Sequence, residues 1–281
     1  MLHLAPFFRR WFVRSCCSVA VWRRHLQRHS QRHWLRALAG LCASLLLVSA
    51  QAQSLLAPLV SANTAATAPS QPGEPWRVVG VGKDSIAPTR FDLVALDGAP
   101  VLRLRTERSY ANLVHDLPAL RLSANAVLRW RWRLDQGLPL ADLRRKSGDD
   151  SPLKVCALFD LPASQLSWGE RSLLLLARSL SKETLPGATL CYIWDTQLPE
   201  GTILANAYSQ RVRYLVLNGA NAPLKQWASH ERRLSADFLQ AFGHESRSVP
   251  PLVAVLVGAD ADNTGGSSLA YASDLVLINT P

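Results

Sequence analysis

An acidic loop near the C-terminus carries the densest group of oxygen ligands in the sequence. Asp260, Asp262 and Asn263 lie close together, and Asp274 follows within an apolar run. Such oxygens are the ligands that Ca²⁺ prefers, in sets of about six to eight. The loop is not an EF-hand, because Tyr271 stands where that motif has Glu. We expect either a structural calcium site on these four residues or a polar turn stabilised by its own side chains.

Two further groups of polar residues could bind a ligand. Asp149 and Asp150 follow Gly148 in a basic loop, which is typical of a polar clasp at a cleft or of a solvated turn. Arg129 and Arg131 fall on one face of a predicted strand, where guanidinium groups could bind the carboxylates or sulfates of an acidic sugar. The alternative for these arginines is a solvated face, or a face paired with neighbouring acids.

Two tryptophans are candidates for stacking on a sugar ring. Trp168 begins a predicted helix and Trp227 lies in a polar run, so both are expected to be more exposed than the tryptophans of the strands. The alternative is that both rings are packing anchors. The sequence therefore predicts a carbohydrate contact at Trp168 and Trp227 or none at all.

Evidence for catalysis in the sequence is sparse. The chain has no Gly-x-Ser-x-Gly, no His-Glu-x-x-His and no phosphate loop, so no catalytic residue is assigned. A glycosidase, however, needs only two carboxylates at a suitable separation. The acids that could supply such a pair are Asp149, Asp160, Glu170, Asp195 and Asp260.

Most of the net charge of +10 belongs to the N-terminal leader. Residues 1–52 hold eight arginines and no acid, which leaves 23 basic and 21 acidic residues in the remainder. A domain this close to neutrality lacks the basic surface that nucleic-acid binding requires. We therefore expect no nucleic-acid partner.

The leader has the pattern of a secretory signal peptide. A short apolar run at 37–48 follows Arg36 and precedes Ala50-Gln51-Ala52, which predicts cleavage after Ala52 and a periplasmic or secreted protein. The run is too short to span a bilayer, so we expect no transmembrane segment after cleavage. Residues 53–74 are rich in Ala, Ser and Pro and are predicted to be a flexible linker, and residues 75–281 to be one domain.

The domain reads as a series of short strands, which favours an all-β fold. Strict alternation places Leu128, Trp130, Trp132 and Leu134 on one buried face. Helices are predicted at 168–181 and, with Ser235 as cap, at 236–242. The expected architecture is a jelly-roll-like antiparallel β-sandwich with one or two peripheral helices. Its predicted strands are residues 90–96, 101–107, 126–134, 153–160, 189–195, 211–217, 252–258 and 269–278.

Two cysteines, Cys156 and Cys191, follow the leader in strands of similar layout. We expect two buried free thiols, because cysteine is often buried and strand adjacency cannot be read from the sequence. The alternative is a disulfide between neighbouring strands, formed in an oxidising compartment.

A series of short motifs resembles the bacterial domain-of-unknown-function family 3047, over about residues 76–279. It comprises Gly148-Asp149-Asp150, Val155 to Asp160, Tyr192-Ile193-Trp194, Trp227 with Glu231-Arg232-Arg233, Asp237, Phe242-Gly243 and residues 259–265. The resemblance implies an exported sandwich domain of unassigned activity. Leu234 and Ser273 depart from the family pattern, where Asn and Gly are usual. Residues 270–277 also look like the last strand of galactose-binding-like jelly rolls, which implies a structural calcium ligand at Asp274.

Three function classes follow from these observations. The leading hypothesis is an exported module that binds a carbohydrate or an envelope polymer and contains a structural calcium site. The second is a polysaccharide hydrolase or lyase with paired carboxylates. The third is a periplasmic scaffold for protein partners.

Overall fold

The computed structural model describes residues 53–60, 70–80, 85–166, 168–172, 175 and 186–281. The predicted signal peptide, the middle of the predicted linker and most of the predicted helix at 168–181 lie outside the described residues. Within the part of the chain that is described, no helix combines the length and apolar character needed to cross a membrane.

The described residues form two β-sheets that pack face to face, which confirms the predicted β-sandwich. Every neighbouring pair of strands is antiparallel except β7 and β9, which are parallel. The large sheet has the order β1 (Trp76–Val79), β4 (Tyr110–Leu120), β11 (Leu252–Asp260), β6 (Leu153–Phe159), β7 (Ala188–Trp194), β9 (Val212–Asn218) and β8 (Ile203–Ala205). The small sheet has the order β10 (Ala228–Arg233), β5 (Val127–Gln136), β12 (Ser267–Ile278), β3 (Ala99–Glu107) and β2 (Arg90–Leu96).

The core between the sheets is built around aromatic rings. Trp130 and Trp132 of β5 are buried, as their alternation predicts, and their rings lie 5.4 Å apart edge to face. From the large sheet, the Tyr192 ring lies 5.1 Å from that of Trp130, and the Trp194 ring 6.0 Å from that of Trp132. Truncating a buried ring of this size to alanine typically costs about 3 to 5 kcal/mol.

The outer face of the large sheet is also partly buried. A second apolar cluster there includes Cys156, Cys191 and Tyr214, and it is covered by Leu143 and Leu198 from two loops. These two loops, residues 137–151 and 195–202, therefore border the outer face of the large sheet.

Cys156 and Cys191 form a disulfide within this second cluster. They are direct cross-strand neighbours on β6 and β7, with a Cα–Cα distance of 4.0 Å. The expectation of two free thiols is therefore wrong, because strand pairing, which the sequence did not reveal, places the two residues side by side. A bridge over a separation of 35 residues contributes about 3 to 4 kcal/mol in the chain-entropy model.

The first described residues pack against the sandwich, although they fall in the predicted flexible linker. Leu56 and Leu59 are each 4% exposed, and the Leu55 N–H donates to the Leu277 carbonyl at 2.8 Å. The Ala57 N–H donates to His115 Nε2 at 3.1 Å. The flexible-linker prediction is thus wrong for residues 54–59, because two leucines supply enough apolar area to fix the segment.

One complete helix is described, α1 (Leu234–Phe242), which begins two residues earlier than predicted. Phe238 and Phe242 are fully buried, and the Phe238 ring lies 4.7 Å from that of Phe159. Leu239, on the same helix, is 41% exposed. Ser235 is not the cap, because its hydroxyl donates to the Ser123 carbonyl at 2.9 Å.

Candidate functional site

The outer face of the large sheet becomes polar where β6 begins and β11 ends. The strand register places Asn112, Gly258 and Lys154 side by side on β4, β11 and β6. Asp260 lies two residues beyond Gly258 and therefore points to the same face. A side chain at position 258 would collide with Asn112 Oδ1 and come within 3.0 Å of Lys154 Cε. Glycine at this position therefore leaves room for polar groups above the sheet.

Lys154 and Asp260 form a buried ion pair at this end of the sheet. Lys154 Nζ lies 2.6 Å from Asp260 Oδ1, and both side chains are less than a tenth exposed. Burial raises the pKa of Asp260 to about 6, and the nearby Asp150 and Asp149 carboxylates add to the rise that Lys154 opposes. Burial also disfavours the charged form of Lys154, but Asp260 and the other neighbouring acids raise its pKa above the ordinary value. The excess of negative charge keeps the lysine protonated and favours proton uptake by the acids.

Asp149 lies in the same buried region and is held by two side chains. It accepts hydrogen bonds from Asn206 Nδ2 and, at 3.1 Å, from the Tyr214 hydroxyl. Burial raises the pKa of Asp149, although these bonds and Lys154 limit the rise. Burial and the Asp149 carboxylate also raise the pKa of Tyr214 well above its ordinary value. At neutral pH the phenol is therefore protonated and acts as the donor.

Tyr208 forms the exposed rim of this region. Its side chain is one of the exposed large apolar groups, at 58%. Its hydroxyl is 3.0 Å from both the Lys146 carbonyl and Asn263 Oδ1, and Lys146 Nζ lies 5.3 Å from the ring centroid. The ring is thus fixed between two loops and still accessible.

Asp150 fixes the acidic loop. Its carboxylate is fully buried and accepts four hydrogen bonds, two from Asn263 (N at 3.0 Å, Nδ2 at 3.2 Å) and two from Thr264 (N at 2.7 Å, Oγ1 at 2.5 Å). The four donors match the capacity of a carboxylate. Asp150 therefore ties the loop before β6 to the loop after β11.

The structure gives the predicted calcium ligands a different arrangement. Asp150, Asp260 and Asp262 each offer an oxygen within 4.8 Å of the others. Asp274, expected to join the other three ligands in one site, is instead exposed, with a φ of 55° and a 2.6 Å ion pair to Arg131. That expectation is wrong because a bulge between Ser273 and Val276 interrupts the alternation of β12. Calcium binding itself stays a prediction, with Asp150 in the place of Asp274.

The predicted arginine face of β5 is paired with acids. Arg129 Nε lies 2.7 Å from Glu231, and Arg131 stacks over the Trp227 ring at 5.1 Å while it pairs with Asp274. The acid-paired alternative therefore describes Arg129 and Arg131, and Trp227 packs on one of them. Trp168 is 85% exposed at the start of the helical residues 168–172, and it makes no described contact with the acidic residues.

The buried amide of Asn112 is incompletely paired. Its Nδ2 donates to the Tyr110 hydroxyl at 3.1 Å, whereas its Oδ1 has no hydrogen-bond partner among the described residues. Exchanging the amide nitrogen and oxygen would leave the nitrogen unpaired instead. Asn112 is 9% exposed, so one of its polar atoms lies beside the Lys154 side chain without a partner.

Four residues of this region were predicted from the sequence: Asp149, Asp150, Asp260 and Asn263. The residues that complete the region were missed. The overlooked side chains are Asn112, Lys154, Asn206, Tyr208 and Tyr214. A usable signal was present only for Lys154, a single charged residue in the otherwise apolar strand Leu153–Phe159.

Comparisons with solved structures show a likeness of fold only. The xyloglucanase domain of NopAA, a type three effector from Sinorhizobium fredii solved with cellobiose, is 7% identical, with 73% of this chain and 93% of that chain aligned and a TM-score of 0.41. The catalytic domain of Humicola grisea Cel12A is 12% identical, with the same coverage and a TM-score of 0.40. Endoglucanase 3 of Trichoderma harzianum, from family GH12, is 10% identical, covers 68% of this chain and 85% of that chain, and has a TM-score of 0.37. At these scores the likenesses carry no argument about activity.

No curated protein matches the chain. A family model described as "Protein of unknown function (DUF3047)" matches residues 74–276, which is most of the chain and nearly all of the sandwich. The match confirms the resemblance carried by the sequence motifs, and the chain belongs to this family.

Proposed function

We propose that the protein is a glycan-binding module and that sugar binds at the polar end of the large sheet's outer face. We call this site the polar cluster; its members are Asn112, Asp149, Lys154, Asn206, Tyr208, Tyr214 and Asp260. The observation that carries the proposal is the amide oxygen of the buried Asn112, which has no hydrogen-bond partner among the described residues and lies beside the buried Lys154–Asp260 pair.

The polar cluster is costly to the fold by itself. A buried polar atom without a partner costs about 1 to 3 kcal/mol. A buried ion pair is often no more stabilising than two apolar side chains of the same volume. Sugar hydroxyl groups donate and accept hydrogen bonds, so they fit the mixture of carboxylate, amide and ammonium groups found here.

Tyr208 supplies the apolar contact that sugar recognition also uses. The apolar face of a pyranose stacks on an aromatic ring. The Tyr208 ring is exposed and held in place next to Asn206, whose side chain binds Asp149. A ring at the rim with hydrogen-bonding groups behind it is the combination that sugar recognition uses, which supports the proposal.

Co-sedimentation of the purified chain with a panel of insoluble polysaccharides, peptidoglycan included, tests the proposal. We expect retention on one class of glycan and about a tenfold weaker affinity for Tyr208→Ala, as for loss of about 1 to 2 kcal/mol of aromatic contact. Tyr208→Phe, which keeps the ring, should bind nearly as well as the natural protein. The matched control is Trp168→Ala, which removes an exposed aromatic ring elsewhere.

Unchanged retention of Tyr208→Ala together with loss for Trp168→Ala would move the site to the helical residues. No retention on any glycan would favour the protein-scaffold hypothesis.

A second candidate function is cleavage of a polysaccharide. The observation that favours it is the raised pKa of two carboxyl groups, Asp149 and Asp260, on one face. A carboxyl group protonated near neutral pH can act as a general acid beside an ionised partner. Reducing-end release that is lost in Asp149→Asn and Asp260→Asn but kept in Asp274→Asn would support this function, and equal activity in all three variants would exclude these acids.

We also propose that the protein is exported and processed after Ala52. The leader pattern supports this, and so does the Cys156–Cys191 disulfide, because such bonds persist in oxidising compartments. N-terminal sequencing of the mature form should find Gln53 first. Recovery of the leader in the mature protein would contradict the proposal.

Calcium is a further proposal for Asp150, Asp260 and Asp262. The ion would use carboxylate oxygens that Lys154 and the loop donors also contact. Calcium and Lys154 should therefore compete for the same negative charge.

A further inference from the structure

A second polar cleft lies on the far side of the acidic loop, where β3 ends and β12 begins. Its volume is about 730 Å³, and Gly265 and Gly266 form part of its wall. Three arginines line it, Arg90, Arg105 and Arg108, and Glu107 is the only acid among the lining residues described. The remaining wall is rich in hydroxyl and amide groups, including those of Thr106, Ser268 and Gln136.

The arginines are placed at a cost to the fold. Arg90 and Arg105 are directly opposite each other on β2 and β3, and like charges in that relation are destabilising. Arg105 reaches Asp92 at 3.3 Å, but Asp92 is also bound by Arg103 at 3.0 Å. Within the described ranges, neither Arg90 nor Arg108 has an acidic partner within ion-pair distance.

The backbone brings the third arginine to the cleft. Arg108 has a φ of 47°, a conformation that is unfavourable for a residue with a side chain, and its N–H donates to the Gly266 carbonyl at 2.9 Å. The Arg108 side chain packs beside Gly265. The turn therefore places Arg108 in the wall of the same cleft as the like-charged pair of β2 and β3.

We propose that this arginine cleft binds the carboxylate groups of an acidic polysaccharide, so that the glycan of the proposed function is a polyuronate. This inference rests on the proposed function and names its ligand class. A planar guanidinium group binds a carboxylate through two parallel hydrogen bonds, and an anion between Arg90 and Arg105 would remove their repulsion.

The shape of the surface also suits a polymer. A second cleft of about 240 Å³ adjoins the first and shares Gln136, Gly266 and Ser267 with it. Thr264, which Asp150 anchors, lines this second cleft. An extended chain could thus lie along the acidic loop, with its carboxylates at the arginines and its neutral faces towards the polar cluster.

Affinity electrophoresis or titration calorimetry of the purified chain tests the inference with polygalacturonate. The comparison ligands are its methyl-esterified form, a sulfated polysaccharide and single-stranded DNA. The variants are Arg90→Gln and Arg108→Gln. The control, Arg129→Gln, has the same charge change on a residue of the same sheet that is paired with Glu231.

We expect polygalacturonate to bind and its methyl ester to bind at least about tenfold more weakly. Each cleft variant should weaken binding about tenfold, as for loss of one charge-assisted hydrogen-bonded contact, and the control about twofold or less. Equal weakening by Arg129→Gln would reduce the effect to net charge and overturn the inference. Tighter binding of the sulfated polymer or of DNA than of polygalacturonate would also overturn it.

The two proposals fail separately. If the neutral ester binds as well as the acid, and Arg90→Gln and Arg108→Gln have no effect, the inference is wrong while glycan binding at the polar cluster stands. If no glycan binds, both proposals are wrong. Unchanged melting temperatures for the two variants establish that any loss of binding is local, as expected for exposed side chains.

Discussion

Replacing Asp150 by alanine should destabilise the protein strongly although the residue belongs to neither of the two proposed glycan sites. The substitution removes the acceptor of four hydrogen bonds that come from Asn263 and Thr264. A hydrogen bond to a charged group contributes about 1.5 to 3 kcal/mol, but the four share one carboxylate and water can reach the loop, so their sum overestimates the loss. We expect a loss of about 3 to 5 kcal/mol in the free energy of unfolding, the range for breaking buried charged contacts.

The assay is thermal and urea unfolding followed by tryptophan fluorescence. For a domain of this size, a loss of about 4 kcal/mol corresponds to a melting temperature about 8 to 16 °C lower. The melting temperature of Asp150→Asn, which keeps one acceptor oxygen, should lie between those of Asp150→Ala and the natural protein. The control is Asp274→Ala, which removes an exposed carboxylate with a single ion pair and should cost about 1 kcal/mol or less. Equal melting temperatures for Asp150→Ala and Asp274→Ala would refute the assignment of Asp150 as the anchor of the acidic loop.

Three further outcomes test the buried groups. Lys154→Met leaves the Asp260 carboxylate buried without its cation, so we expect the free energy of unfolding to fall by about 3 to 5 kcal/mol at pH 7. Millimolar calcium should raise the melting temperature of this variant more than that of the natural protein. Equal responses to calcium would contradict competition between the ion and Lys154. The pKa of Asp260 is about 6 in the folded protein against an ordinary 3.8, so the folded state binds this proton more tightly than the unfolded state does. The contribution of Asp260 to stability therefore falls as the pH rises from about 4 to about 6. Urea unfolding across this range should therefore give a flatter pH dependence for Asp260→Asn, and an identical slope would show that the carboxyl group titrates normally. Replacing both Cys156 and Cys191 by alanine should lower the free energy of unfolding by about 3 to 4 kcal/mol. It should also abolish the effect of reductant on the melting temperature. A natural protein whose melting temperature does not respond to reductant would contradict the disulfide.

Strands with a clear alternation or a continuous apolar run were predictable from the sequence, whereas strands with a mostly polar or interrupted pattern were not. The strand at 90–96 has the predicted bounds because its alternation and the following Asp97-Gly98 turn are both local signals. Strand β10 was missed because it is an edge strand of mostly polar residues, Ala228–Arg233. Strand β4 contains His115, Asp116 and Pro118, which hide its apolar face. Local pattern therefore predicted the strands with a continuous apolar face and missed strands whose pattern is polar or interrupted, such as β10 and β4.

Only the part of the candidate site that lies in acidic loops was predictable from the sequence. Asp149, Asp150 and Asp260 were singled out by composition, and they do meet. Lys154 belongs to the site because β6 lies next to β11, an order that no local pattern specifies. Asp274 does not belong to it because a bulge reverses the direction of its side chain, and a bulge leaves little trace in a single sequence.

The disulfide has a topological consequence for the segment that it encloses. Cys156 and Cys191 cross-link adjacent strands, and the chain between them leaves the large sheet after β6 and returns to it at β7. A single peptide-bond cleavage anywhere between residues 157 and 190 would therefore leave both fragments covalently joined through the sheet. Electrophoresis of a nicked preparation would show one intact band without reductant and two fragments with it. Within the described sandwich, the excursion between β6 and β7 is thus the segment that can be cut while the two parts of the chain stay covalently joined.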